Sequence, residues 1–183
     1  MQHDEAQSPV SFAAHVARLP QAGLPVVIEA DEAQRAALAE AHGLLSVEVY
    51  RAELLVSRWK RNGVKVSGSV KADITQACVV TLDPVTAHIE EAVDGLFLPQ
   101  DSNFGREGFS GGGEILIDAE GPDAPETFIG DTVDVGALAE QFFGLAIDPY
   151  PRRAGAHLET KADDEDKEES EFQRKLRALL PKN

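Results

Sequence analysis

Two apolar-alternating segments meet at Asn62-Gly63, and no other feature restricts the fold of this chain so strongly. Asn-Gly between alternating runs signals a β-hairpin, because both positions of a two-residue turn need φ > 0. A two-residue turn sets Arg61 opposite Val64, Lys60 opposite Lys65 and Trp59 opposite Val66. Extended, that register puts Leu55 opposite Val70 on an apolar face and gathers Arg58, Lys60, Lys65 and Lys71 on the other. Two lysines directly opposed destabilise a bare sheet, so this face calls for an anionic partner. Basic residues beside an aromatic, here Trp59, are also how single-stranded nucleic acid is held. The competing reading is a solvated hairpin whose lysines pair with the chain's own carboxylates.

The return strand carries Val64, Val66, Val70, Ala72 and Ile74 inward, and continued parity turns Cys78, Val80 and Leu82 inward as well. With no histidine nearby in sequence, Cys78 reads as a core thiol rather than a nucleophile. Before the hairpin, Val26 to Ala30 reads as a short buried strand. A helix follows, with Asp31 and Gln34 in capping-box spacing, Ala33, Ala37, Leu38 and Ala41 as its apolar stripe, and Gly43 at its end. Leu45, Val47 and Val49 begin the first hairpin strand. After the Asp83-Pro84 turn a strand starts at Val85 and runs toward Phe97. Asn103 to Gly113 reads as a Gly- and Ser-rich loop, and Glu114 to Asp118 as a brief strand. Asp134 is placed to cap a helix carrying Leu138, Phe142 and Leu145, which Pro149 and Pro151 stop.

This order of elements has no βαβ rhythm. It predicts an α+β domain over residues 1–158, built on a twisted antiparallel sheet or partial barrel with peripheral helices. Residues 159–171 are charged and almost free of apolar side chains, which reads as a disordered linker. Phe172, Leu176, Leu179 and Leu180 recur at helical spacing, so 172–181 reads as a short amphipathic helix that docks on the domain or on a partner.

Composition narrows the function. The net charge of −15 argues against a protein that coats nucleic acid without specificity. The charge is uneven. Six basic residues lie between Arg51 and Lys71 against Glu53 alone, whereas Asp94 to Glu140 holds eleven carboxylates and only Arg106. No apolar run approaches the roughly 20 residues that span a bilayer, and the first residues lack the pattern of a secretory signal. With a single cysteine the economical location is the cytoplasm. The histidines, His3, His15, His42, His88 and His157, show no metal-ligand spacing, so no metal or other cofactor is expected. Gly111 to Gly113 lacks the Lys-Ser/Thr of a phosphate loop.

The segment from Val66 to Val85, containing Cys78-Val-Val-Thr-Leu-Asp-Pro84, resembles the signature of the YceD family, the large ribosomal RNA subunit accumulation proteins. Asp134 to Arg152 resembles that family's helix and Pro-Arg segment, and Glu29-Ala-Asp31 with its Ala-rich helix also fits. Where many members carry Cys-x-x-Cys-Leu, this chain has Cys78, Thr81 and Leu82, and threonine cannot be a thiolate ligand. The resemblance therefore implies a structural role for Cys78, Thr81, Leu82 and Pro84. It implies a non-enzymatic ribosome-biogenesis factor that binds a ribosomal protein, an assembly factor or pre-ribosomal RNA. Candidate contact residues are Arg58, Trp59, Lys60, Arg61, Lys65, Lys71 and Arg152. The alternatives are a metal-dependent hydrolase or nuclease using carboxylates in 118–134, and a purely protein-binding module.

Overall fold

A computed structural model describes residues 7–60, 62–100 and 125–156. Its centre is the hairpin, with strands far longer than the usual five or six residues: β3 (Ser46–Trp59) and β4 (Gly63–Ala77), followed by β5 (Pro84–Pro99). β2 (Leu24–Glu29) flanks β3, and β6 (Glu126–Phe128) lies beyond β5. The order β2-β3-β4-β5-β6 is antiparallel except for β5 and β6, which run parallel. A second, two-stranded sheet joins β1 (Ala13–His15) to β7 (Thr132–Asp134). The α+β class holds. The sheet is mixed rather than wholly antiparallel, and among the described residues it stays open, with β2 and β6 at its edges.

Helix α1 (Glu32–His42) starts as its sequence dictates. Asp31 accepts from the Gln34 N–H, the Gln34 side chain accepts from the Asp31 N–H, and Gly43 closes the helix at φ 64°. Its stripe is narrower than expected: Leu38 and Ala39 are buried, Ala33 and Ala41 exposed. In α2 (Val135–Ala146) the inward residues are Leu138, Ala139 and Phe143, while Leu145 points to solvent. Both helices pack on one face of the large sheet, over Tyr50, Leu54, Val56, Val66, Val70 and Ile74. The rings of Tyr50 and His42 both meet Phe143 edge-on, with centroids 5.4 and 5.1 Å away.

The hairpin register departs from the expected one. Trp59 pairs with Gly63 rather than Val66, leaving a three-residue connection, Lys60 to Asn62. Lys60 adopts the left-handed conformation at φ 50°. Gly63 serves a different need, since a Cβ there would lie 2.9 Å from both the Trp59 ring and its carbonyl. The slip of three residues is odd, so β3 shows the opposite face to that expected. Ala52, Leu54 and Val56 turn inward, and Leu55 turns out, opposite Ser67. A bulge at Glu48 resets parity, so that Val47 and Tyr50 are both buried while Val49 is exposed. Val26 and Ile28 of β2 are buried and Val27 is exposed, so β2 is a half-buried edge strand rather than a fully buried one. The expected loop at Asn103 to Gly113, the strand Glu114 to Asp118, the linker 159–171, the helix 172–181 and Arg61 lie outside the described residues.

Candidate functional site: the outer sheet face and the motif clasp

The register decides what the basic hairpin presents. Lys65 and Lys71 stand on the face away from the helices, but Arg58 lies on the helix side, where its guanidinium donates to the carbonyls of Ala17 and Leu19. Arg58 also lines an open cleft of about 330 Å³ with Val16, Pro99, Phe128 and Asp131. Lys65 faces Ser57, so the expected Lys60–Lys65 opposition does not form. The Lys60 ammonium lies 4.3 Å from the Trp59 ring centroid at the hairpin tip. Thus Lys65 and Lys71 share one face, six residues apart along β4, whereas Arg58 is separated from them by the thickness of the sheet.

Across the outer face the strands align Glu29, Arg51, Lys71 and Glu90 in one row. Arg51 bridges Glu29 and Glu53, and Lys71 meets Glu90 at 2.7 Å. Six residues nearer the tip on the same face of β4, Lys65 meets Asp94 at 3.3 Å. The hydrogen bond to Glu90, followed by its charge, raises the Lys71 ammonium above its ordinary value, and Lys71 in turn lowers Glu90. Counting Glu48 and Asp73, six carboxylates share this face with three cations. Its lysines and Arg51 are engaged by the chain's own acids.

The second motif lies at the opposite end of the hairpin. β4 stops at Ala77 and the chain turns, with Cys78 N–H donating to the Asp83 carbonyl and Leu82 N–H to the Cys78 carbonyl. Continued strand parity therefore fails beyond Cys78. Cys78 is fully buried as expected, but Val80 is half-buried and Leu82 is 77% exposed. Leu82 takes the left-handed conformation at φ 63°. Pro84 opens β5 opposite Ala77.

The segment after α2 clamps this turn. Val79 N–H donates to the Pro151 carbonyl at 2.9 Å, Arg153 N–H to the Cys78 sulfur at 3.4 Å, and the Arg153 guanidinium to Asp83 at 2.8 Å. The Gln76 amide donates to the Asp148 carbonyl. Arg152, between the clamping residues, is exposed. The Arg153 N–H, then the Thr81 hydroxyl and the N–H groups of Thr81 and Val80, lower the Cys78 thiol to about 6, against an opposing effect of burial. Thr81 does this while its oxygen accepts from the Asp83 N–H. A threonine hydroxyl three residues after Cys78 thus helps to satisfy its sulfur.

Two of the three stretches that carry the family resemblance, Val66–Val85 and the segment that follows α2, thus form one unit in space. The family described as large ribosomal RNA subunit accumulation protein YceD matches residues 66–179, more than half of the chain. The chain belongs to the YceD family. Comparisons with curated proteins and with solved structures found no match. The YceD family name ties its members to accumulation of the large ribosomal subunit's RNA and describes no catalytic activity. Among the described residues no three His, Cys, Asp or Glu side chains are grouped to hold a metal, and no helix is long and apolar enough to cross a membrane.

Of the carboxylates in 118–134, Asp134 caps α2 and binds Ser11 and the Phe12 N–H, and Asp131 lies 3.7 Å from His15. Asp118, Glu120 and Asp123 lie outside the described residues. Sequence reasoning missed one polar cluster. His42, at the end of α1, bonds Glu140 of α2 at 3.1 Å, and beneath them the Tyr50 hydroxyl is buried with no hydrogen-bond partner among the described residues. Burial and Glu140 together push the Tyr50 phenol well above its ordinary range. The packing of both helices on β3 assembles these three residues, and no local pattern marks them.

Proposed function

We propose that this YceD-family protein is a non-enzymatic factor of large ribosomal subunit assembly that acts chiefly by holding a basic ribosomal protein or assembly factor. The observation that carries this reading is the internal pairing of the hairpin cations. A face with six carboxylates and three engaged cations repels phosphate and complements a basic protein surface. The chain's net charge of −15 acts in the same sense at longer range. The test is a pull-down of the tagged chain from cytoplasmic extract with and without RNase. Capture of basic large-subunit proteins that survives RNase is the expected result, and loss of every ribosomal component on RNase treatment overturns it.

A second reading, direct contact with pre-ribosomal RNA at the hairpin tip, draws on the Lys60–Trp59 contact, since a cation beside an aromatic ring is a pairing that holds single-stranded RNA. Contact with about four phosphates gives a salt slope near −3 on single-stranded RNA, at roughly 0.7 per phosphate. Salt-independent or undetectable affinity for large-subunit RNA fragments removes it.

A further inference from the structure

Single exposed apolar side chains are ordinary; their concentration is not. Of the ten large hydrophobics exposed among the described residues, five (Leu45, Val79, Leu82, Leu145 and Tyr150) belong to segments that meet at the clasp end of the sheet. Leu82 stands out among them. The left-handed region disfavours any residue with a Cβ, and glycine would take it freely. The chain instead keeps a leucine there, 77% exposed, where its side chain adds almost nothing to the core. Tyr150, 70% exposed, projects from between Pro149 and Pro151, on backbone that the Pro151 and Arg153 bonds hold to the turn. Anchors on so constrained a backbone lose little freedom when a partner covers them. Among the described residues of the clasp and the strand ends beside it, the carboxylates are Glu48, Asp73, Asp83 and Asp148, with Asp73 paired to His88 and Asp83 to Arg153, and the cations are Arg152 and Arg153, so the rim carries an excess of acid.

We propose that the clasp end is the docking surface for a lysine- and arginine-rich protein segment that packs large apolar side chains on Leu82, Tyr150 and Leu145. The proposal rests on the reading of this protein as a holder of basic assembly partners, and it says where on the molecule they are held. Strain and exposure at Leu82 then have a shared cause: the side chain is kept out for the partner.

The test uses the full-length chain carrying the photo-crosslinker benzoylphenylalanine at position 82, and at position 129 as a control on the far end, where Ile129 is equally exposed. Each is irradiated with proteins split from large ribosomal subunits by high salt, and separately with large-subunit RNA, and products are identified by mass spectrometry. The expected result is a crosslink from position 82 to one or a few basic proteins, absent from position 129. Crosslinks to residues 157–183 of the same chain, to a second copy, to RNA alone, or to nothing overturn the proposal. If wild-type chain still captures basic proteins after RNase while position 82 crosslinks none, the surface is wrong and the functional reading stands. Leu82→Gly supplies an independent arm. It relieves the backbone, so Tm rises, yet capture of the crosslinked partner falls at least tenfold. Unchanged capture overturns the proposal.

Discussion

At the scale of single residues, Cys78 combines two properties that usually separate. Its sulfur collects N–H donors as a reactive thiolate does, yet none of its surface reaches solvent. The folded thiol near 6 lies below the ordinary value of about 8.5. Thiolate formation therefore favours the folded state fully above about pH 8.5, and that contribution is lost as pH falls through 6. Ultraviolet thiolate absorbance of native protein is expected to titrate with a midpoint near 6, with alkylation at pH 8 far slower than in denaturant. Cys78→Ser lowers Tm more at pH 8 than at pH 5. A titration midpoint at the ordinary thiol value, or native labelling as fast as denatured, contradicts this. The burial of Cys78 was legible from the alternation of Val70, Ala72 and Ile74. Its donors were not, because Arg153 arrives from 75 positions away.

Among the elements, the α2 cap shows how local and distant chemistry share one side chain. Asp134 accepts from the Ala137 N–H as an N-cap does, and also from the Ser11 hydroxyl and Phe12 N–H of the N-terminal segment. Partial burial opposes its charge, but these donors outweigh it and hold the carboxyl below its ordinary value. Asp134→Ala is expected to cost about 1–2 kcal/mol from the cap alone, read as a lower urea midpoint, and to weaken amide-exchange protection of β1 together with α2. The carboxylate's contribution is present above about pH 4 and fades as pH falls below it, so the wild-type and variant midpoints converge in acid. A loss confined to α2 contradicts the shared role.

The caps at Asp31 and Asp134 were legible because a cap is written within four residues. The hairpin was legible too, but its register was not. In β3 one parity holds Ala52, Leu54 and Val56 and the other Val49, Leu55 and Trp59, so hydrophobicity alone could not choose a face. Asn-Gly also misled, since Gly63 serves the close approach of Trp59 rather than a positive φ. The candidate basic surface fell with the register: Lys65 and Lys71 keep the expected face of β4, Arg58 crosses to the helix side, and the counter-ions of Arg51, Lys65 and Lys71 come from β2, β3 and β5. Strands β1, β6 and β7 are three residues each, too short for alternation to show.

For the molecule as a whole, electrostatics sets the balance between solubility and strain. Lys65 and Lys71 offset Asp94 and Glu90, which share the outer face of β5 four residues apart. Lys71→Glu places a third acid in a row that already holds Glu29 and Glu90, with Glu53 adjacent. The variant is expected to have a lower Tm at 20 mM salt, and to regain most of the loss at 0.5 M, where screening shortens to a few ångströms. A Tm deficit independent of salt would point to packing instead.

The pairing of β1 with β7 has a consequence for how the chain is made. Asp134 leaves the ribosome 122 positions after Phe12. At roughly 5–20 residues per second, the N-terminal segment waits on the order of ten seconds for its partner. The long hairpin can zip early from nearby residues. Val10, Ala14 and Leu19, all buried in the finished core, find their places only when α2 has emerged. Gly136, where a Cβ would sit 1.9 Å from the Val10 carbonyl, then lets the N-terminal segment close on the start of α2. A nascent chain stalled before residue 134 therefore displays an apolar N-terminal segment to whatever chaperone stands at the exit tunnel, and release from that chaperone is timed by the arrival of the second helix.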